Sequence, residues 1–169
     1  MRVLVAARKS TMSELDVALP LSTPLPTPTS KSDLVRVPFD DVVRRATVIV
    51  LALPRNPQTM NLLSTSEFAT MSPYTVVINI ARGGIVDESA VVHALRNRQI
   101  AGYATDVFLT EPAEGAADSP LLAEDAMDLN LTVSPHLAWF AQRTMSNLGQ
   151  VLKDTVEAWV SGNPINVVA

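Results

Sequence analysis

Cysteine is absent from all 169 residues, which excludes disulfides, thiolate catalysis and any cysteine-containing zinc site. Histidine occurs twice, as His93 and His136, too few for a histidine-rich metal site, and no metal is predicted. Basic residues are also scarce. Thirteen Lys and Arg against 17 Asp and Glu give a formal charge of −4, which leaves no footprint for nucleic acid or an anionic membrane. The apolar run at residues 3–7 is far too short for a signal peptide or a spanning helix and lacks their flanks. What is present is a 47% apolar composition, which argues against disorder. The length fits a single unit over 1–169 with a real core. A soluble, cytoplasmic protein is the expectation.

Residues 3–7 read as a buried strand ending at Arg8-Lys9. The segment 10–33 then carries Pro20, Pro24, Pro26 and Pro28, which oppose a regular helix or a central strand. A proline-rich arm or loop at about 16–36 follows from this. A short helix is predicted at 40–45 and a continuously apolar strand at 48–53, closed by Pro54 and Pro57 around Arg55-Asn56. Ser64 with Glu67 three residues on fits a capping box. Further strands are predicted at 75–80, 102–107 and 129–133. Asp87 can cap a helix over 88–97 whose Val91, Val92 and Leu95 share one face. The region 109–128 reads as loop with a short turn near Leu121. From Ala141 a longer helix places Met145, Leu148, Leu152, Val156 and Trp159 on a core-facing stripe, and Gly162-Asn163-Pro164 stops it. Short apolar strands separated by helices predict an α/β fold with a parallel sheet of about five strands, covered on both faces.

Arg82 lies between a strand end and two glycines, in the run Asn79-Ile80-Ala81-Arg82-Gly83-Gly84-Ile85-Val86-Asp87-Glu88. Open α/β sheets bind ligands at such carboxyl ends. Arg82 can grip a planar carboxylate through two parallel hydrogen bonds. His136, just past the last strand, can transfer a proton near neutral pH when a carboxylate such as Glu111 orients it. Asp106 closes the strand 102–107. Each has an ordinary alternative: Arg82 and Glu111 solvated, Asp106 satisfying loop amides, His136 capped in the interior.

Four runs tie these positions together: Leu53-Pro54-Arg55-Asn56-Pro57-Gln58-Thr59, Ile78 to Glu88, Thr105-Asp106-Val107-Phe108-Leu109-Thr110-Glu111-Pro112, and Ser134-Pro135-His136-Leu137-Ala138-Trp139. In order and spacing they resemble the coenzyme domain of the D-isomer-specific 2-hydroxyacid dehydrogenases, particularly the glycerate or hydroxypyruvate reductase branch. The resemblance implies an incomplete Rossmann-like fold. It also implies that Arg82 binds a substrate carboxylate, His136 exchanges the proton of the carbonyl or hydroxyl, Glu111 supports His136, and Asp106 lies near the nicotinamide. Arg8, Pro54 and Asp106 would then be the contacts of any bound NAD or NADP.

The resemblance also marks departures. The family's first strand, its G-x-G-x-x-G turn and first helix have no counterpart here. The acidic ribose ligand aligns with Ala7, and a family histidine aligns with Ala52. Arg8-Lys9 suggests either a 2′-phosphate contact or solvated surface charge. With strand one missing, its two former neighbours, expected to be residues 3–7 and 75–80, would close up or pair with another chain; a homodimer follows. The main expectation is therefore a homologue that has lost hydride transfer and been repurposed as a small-molecule enzyme of isomerase, cyclase or lyase type. It would use a dimer cleft, with no nucleotide favoured. The alternatives are an active NAD(P)-dependent reductase of a small 2-oxoacid such as hydroxypyruvate or glyoxylate, and a non-catalytic binding or regulatory protein.

Overall fold

The computed structural model describes residues 3–9 and 36–167. The chain divides into two compact units, Met1–Pro135 and His136–Ala169. The expected proline-rich arm lies outside the described residues up to position 35, and Arg36 already belongs to a strand.

In the first unit the order is β1 (Val5–Ala6), β2 (Arg36–Val37), α1 (Phe39–Arg45), β3 (Val48–Leu51), α2 (Thr65–Phe68), β4 (Val76–Asn79), α3 (Glu88–Arg96), β5 (Gly102–Thr105) and β6 (Leu131–Val133). Strands β3 to β6 form a parallel sheet in sequence order. Each is a short apolar run, and each return passes through helical or looped chain, as parallel pairing requires. The register puts Leu51 opposite Asn79, Asn79 opposite Thr105 and Thr105 opposite Val133. The last residues of all four strands thus stand in one row, and the segments that follow them leave the sheet along a single edge.

One core holds the unit together. Phe39 and Val43 of α1, Phe68 of α2, and Val91 and Leu95 of α3 pack with Ile49, Leu51 and Val77 from the sheet. The predicted apolar face of α3 is the buried one, and Asp87 caps the helix by accepting the Ala90 N–H at 3.0 Å. The Ser64 and Glu67 capping box is present, with Glu67 Oε2 accepting the Ser64 N–H at 2.9 Å. The sheet is less fully covered than expected. Val48 and Val50, on the opposite face of β3 from Ile49 and Leu51, are 51% and 53% exposed.

The strand arrangement corrects two expectations. Strand β1 pairs with β2 in a separate two-stranded parallel sheet and does not close up against the other four strands. Strand β4 is paired on both sides, by β3 and β5, so among the described residues the larger sheet is open at β3 and at β6, and not at 75–80. Strand β2 had no signal in the sequence because two residues show no periodicity. It is held by the Ala7 N–H donating to the Val37 carbonyl at 2.7 Å and by Arg36 Nη1 donating to the Ala6 carbonyl at 3.0 Å.

The second unit carries α4 (Gln142–Val160) and turns at Gly162, whose φ is +78°. The stripe of Leu148, Leu152, Val156 and Trp159 falls on one side of the helix as predicted, yet no residue of α4 is buried. A unit with one helix has no second layer of its own to cover such a face.

Candidate functional site

Arg82 emerges from the strand-end row on a loop that Asn79 builds. The buried Asn79 side chain accepts the Ala81 N–H through Oδ1 at 3.1 Å and donates from Nδ2 to the Arg82 carbonyl at 3.0 Å. One amide therefore fixes the backbone on both sides of the arginine. Gly83 follows because nothing larger fits. A Cβ there would stand 1.7 Å from the Phe108 carbonyl oxygen. Gly84 has φ +78°, a left-handed conformation open to glycine at little cost, and its carbonyl accepts the Asn61 N–H at 2.8 Å.

Residues 52–55 after β3 and 80–82 after β4 line a cleft of about 590 Å³, within the size range of small-molecule sites. Pro54 and Arg82 are thus brought to the same cleft. Arg82 is exposed, and its Nη1 donates to the Ala81 carbonyl at 2.6 Å. Arg55 lines the cleft as well, its Nη1 donating to the Gly83 carbonyl at 3.3 Å.

One strand over, Asp106 is buried at the end of β5, its N–H donating to the Asn79 carbonyl at 3.0 Å. Ser134, just past β6, donates a short hydrogen bond to Asp106 Oδ1. Glu111 folds back on its own loop, Oε1 accepting the Phe108 N–H at 2.9 Å. That loop is tied to α3 by the buried Glu88, which accepts the Leu109 N–H at 2.7 Å and the Ser119 hydroxyl at 2.6 Å. Beneath the row, burial pushes the Tyr103 phenol up to about 12, so the ring stays neutral there.

His136 opens the second unit. Its φ of 55° is left-handed, a conformation in which His is enriched among non-glycine residues. Its carbonyl accepts the Trp139 indole N–H at 2.7 Å. Arg8 is exposed beyond β1 and is not among the cleft residues. Its neighbour Lys9 forms an ion pair with Glu67 at 2.7 Å.

Sequence reasoning assigned no role to Asn79, Ser134 or Arg55. The first two are short polar residues at the ends of apolar runs, a signal that reads equally well as the end of a strand. Arg55 was visible between two prolines, but nothing in the sequence placed it beside Arg82.

Leu53, Pro54 and Ile80 give the cleft apolar walls beside Arg82 against which a nicotinamide ring would fit. The six glycines include no G-x-G-x-x-G run to cradle a diphosphate. Among the described residues no group of His, Cys, Asp or Glu could hold a metal ion, and no helix is long and apolar enough to cross a membrane.

The family described as D-isomer specific 2-hydroxyacid dehydrogenase, NAD binding domain, matches residues 6–138. Glycerate dehydrogenase of Methylorubrum extorquens is 39% identical over 132 residues, 78% of this chain and 41% of that protein. Hydroxypyruvate reductase of Blautia hydrogenotrophica is 30% identical over 132 residues, covering 78% and 39%. Among solved structures, D-lactate dehydrogenase with NAD+ from Lactobacillus jensenii superposes with a TM-score of 0.68 at 28% identity, covering 79% of this chain and 42% of that one. The chain thus spans about two fifths of the length of these relatives. They overturn the expectation of a redox-silent isomerase, cyclase or lyase: the similar proteins are named as dehydrogenases and a reductase, and one was solved with NAD+. Against the expectation that no nucleotide is favoured, the matched family domain is described as NAD binding, which supports NAD or NADP as the family's cofactor. By this match over most of its length, and by the strand-end row that carries the matching runs, the chain belongs to the D-isomer specific 2-hydroxyacid dehydrogenases.

Proposed function

We propose that this chain carries the substrate-facing part of an NAD(P)-dependent reductase of a small 2-oxoacid, with hydroxypyruvate and glyoxylate as candidates. The observation that carries the reading is Arg82, held by Asn79 in the cleft between the ends of β3 and β4. In this reading Arg82 takes the 2-oxoacid carboxylate through its planar guanidinium. His136 gives its proton to the carbonyl oxygen as that oxygen becomes a hydroxyl, with Glu111 as its supporting acid. The reduced nicotinamide, when bound, supplies the hydride to the carbonyl carbon. Pro54 and Asp106 border the nicotinamide, and Arg8 is available to a 2′-phosphate. The same reading includes a cytoplasmic location and a homodimer.

The test begins with calorimetric titration of NADH and NADPH into the protein, followed by turnover of hydroxypyruvate and glyoxylate. Binding with turnover is expected. His136→Ala should then lower kcat about 10²- to 10⁴-fold, as loss of a general acid does. Arg82→Ala should abolish measurable 2-oxoacid binding. If neither nucleotide binds and neither acid is turned over or bound, the reading fails.

A further inference from the structure

The cleft that receives Arg82 contains a second guanidinium, and the reductase reading assigns it nothing. Arg55 and Arg82 both line this cleft. The hydrogen bonds of both run to backbone carbonyls of one short turn: Arg55 Nη1 to Gly83 at 3.3 Å and Arg82 Nη1 to Ala81 at 2.6 Å. Neither forms an ion pair with a carboxylate among the described residues. A guanidinium has five N–H donors in a fixed fork, so each arginine keeps most of its donors for a ligand. Two like charges around one concave site repel each other, and the ligand that relieves this best has an anionic group for each.

We infer that Arg55 is a specificity residue selecting 2-oxoacids with a second anionic group, a carboxylate or a phosphate-type group, at the far end from the carboxylate held by Arg82. The inference rests on the reductase reading for Arg82 and changes its substrate ranking, placing acids with a second anionic group above the monoanions hydroxypyruvate and glyoxylate. Both anionic groups match the arginine fork. A monoanion such as pyruvate would engage Arg82 and leave Arg55 unsatisfied.

The experiment is calorimetry on the full chain with three probes: pyruvate as the monoanion, 2-oxoglutarate as the dicarboxylate and 3-phosphonopyruvate as the phosphate analogue. Wild-type protein should bind one or both dianions about 10- to 100-fold more tightly than pyruvate, the value of a charge-assisted hydrogen bond. Arg55→Gln should remove that advantage and change pyruvate binding by less than about threefold, as expected for an exposed charge the ligand does not touch. Arg55→Lys should restore part of it. The two dianions distinguish a carboxylate-selective from a phosphate-selective pocket. Equal binding of all three probes by wild-type protein overturns the inference, as does a dianion advantage that survives Arg55→Gln. A loss confined to NADH or NADPH binding overturns it too, because Arg55 would then serve the nucleotide diphosphate. Pyruvate binding that is lost in Arg82→Ala, without any dianion preference in wild type, sinks this inference alone. Failure of all three acids to bind overturns the inference, while the reductase reading still stands or falls on the hydroxypyruvate and glyoxylate assays with NADH and NADPH.

Discussion

Asn79 shows how much of this site depends on one neutral side chain. Its amide is 1% exposed and satisfies a donor on one side of Arg82 and an acceptor on the other. Asn79→Ala would leave the Ala81 N–H and the Arg82 carbonyl without these partners, at a cost of about 1–3 kcal/mol for an unsatisfied buried group. The expected result is a lower urea midpoint with an unchanged slope, and weaker 2-oxoacid binding in the fraction that remains folded. Arg82 was legible in the sequence because a charged residue ahead of paired glycines interrupts an apolar run. Asn79 was not, because its two bonds depend on the path of a loop that only the folded chain defines.

At the scale of elements, the ion pair of Lys9 with Glu67 links the end of β1 to the start of α2. Burial raises the Glu67 pKa, but hydrogen bonds from Lys9, the Ser64 N–H and Ser66 outweigh it, and the net result lies below the ordinary 4.5. A carboxylate with a depressed folded-state pKa adds stability above its unfolded value and loses it as pH falls through the folded one. Glu67→Gln should therefore be less stable than wild type at neutral pH, with the gap closing as pH drops below about 4.5. Urea unfolding across a pH series measures this. The elements themselves were largely readable. The four strands of the larger sheet lie inside the predicted apolar runs, and α3 begins at the predicted cap and buries the predicted face. Val91, Val92 and Leu95 could be placed because a helical face is set by local spacing.

At the scale of the whole molecule, strand order was the least legible feature. Pairing between β3 and β4 joins residues nearly 30 positions apart, and no local pattern states which apolar run lies beside which. The exposed flank of β3 was therefore assigned to the wrong strand. Corrected, it bears on assembly. Unpaired edges with apolar residues such as Val48 and Val50 favour pairing with another chain. The homodimer proposed above predicts a sedimentation mass twice that of the chain, and Val50→Lys should shift it toward the monomer. A monomer across the accessible concentration range would refute it.

The contact between Gly83 and the Phe108 carbonyl leads one step further. With no side chain between them, the loop that carries Arg82 rests directly on the backbone of the loop that carries Glu111. The two loops come from different strands, yet their backbones meet directly at this point. In the reading proposed above, the spacing between the loop of Arg82 and the loop of Glu111 is set by this contact in the folded chain, before any ligand arrives. Binding then spends none of its free energy on bringing the two loops together, and that free energy remains available to hold and orient the bound acid.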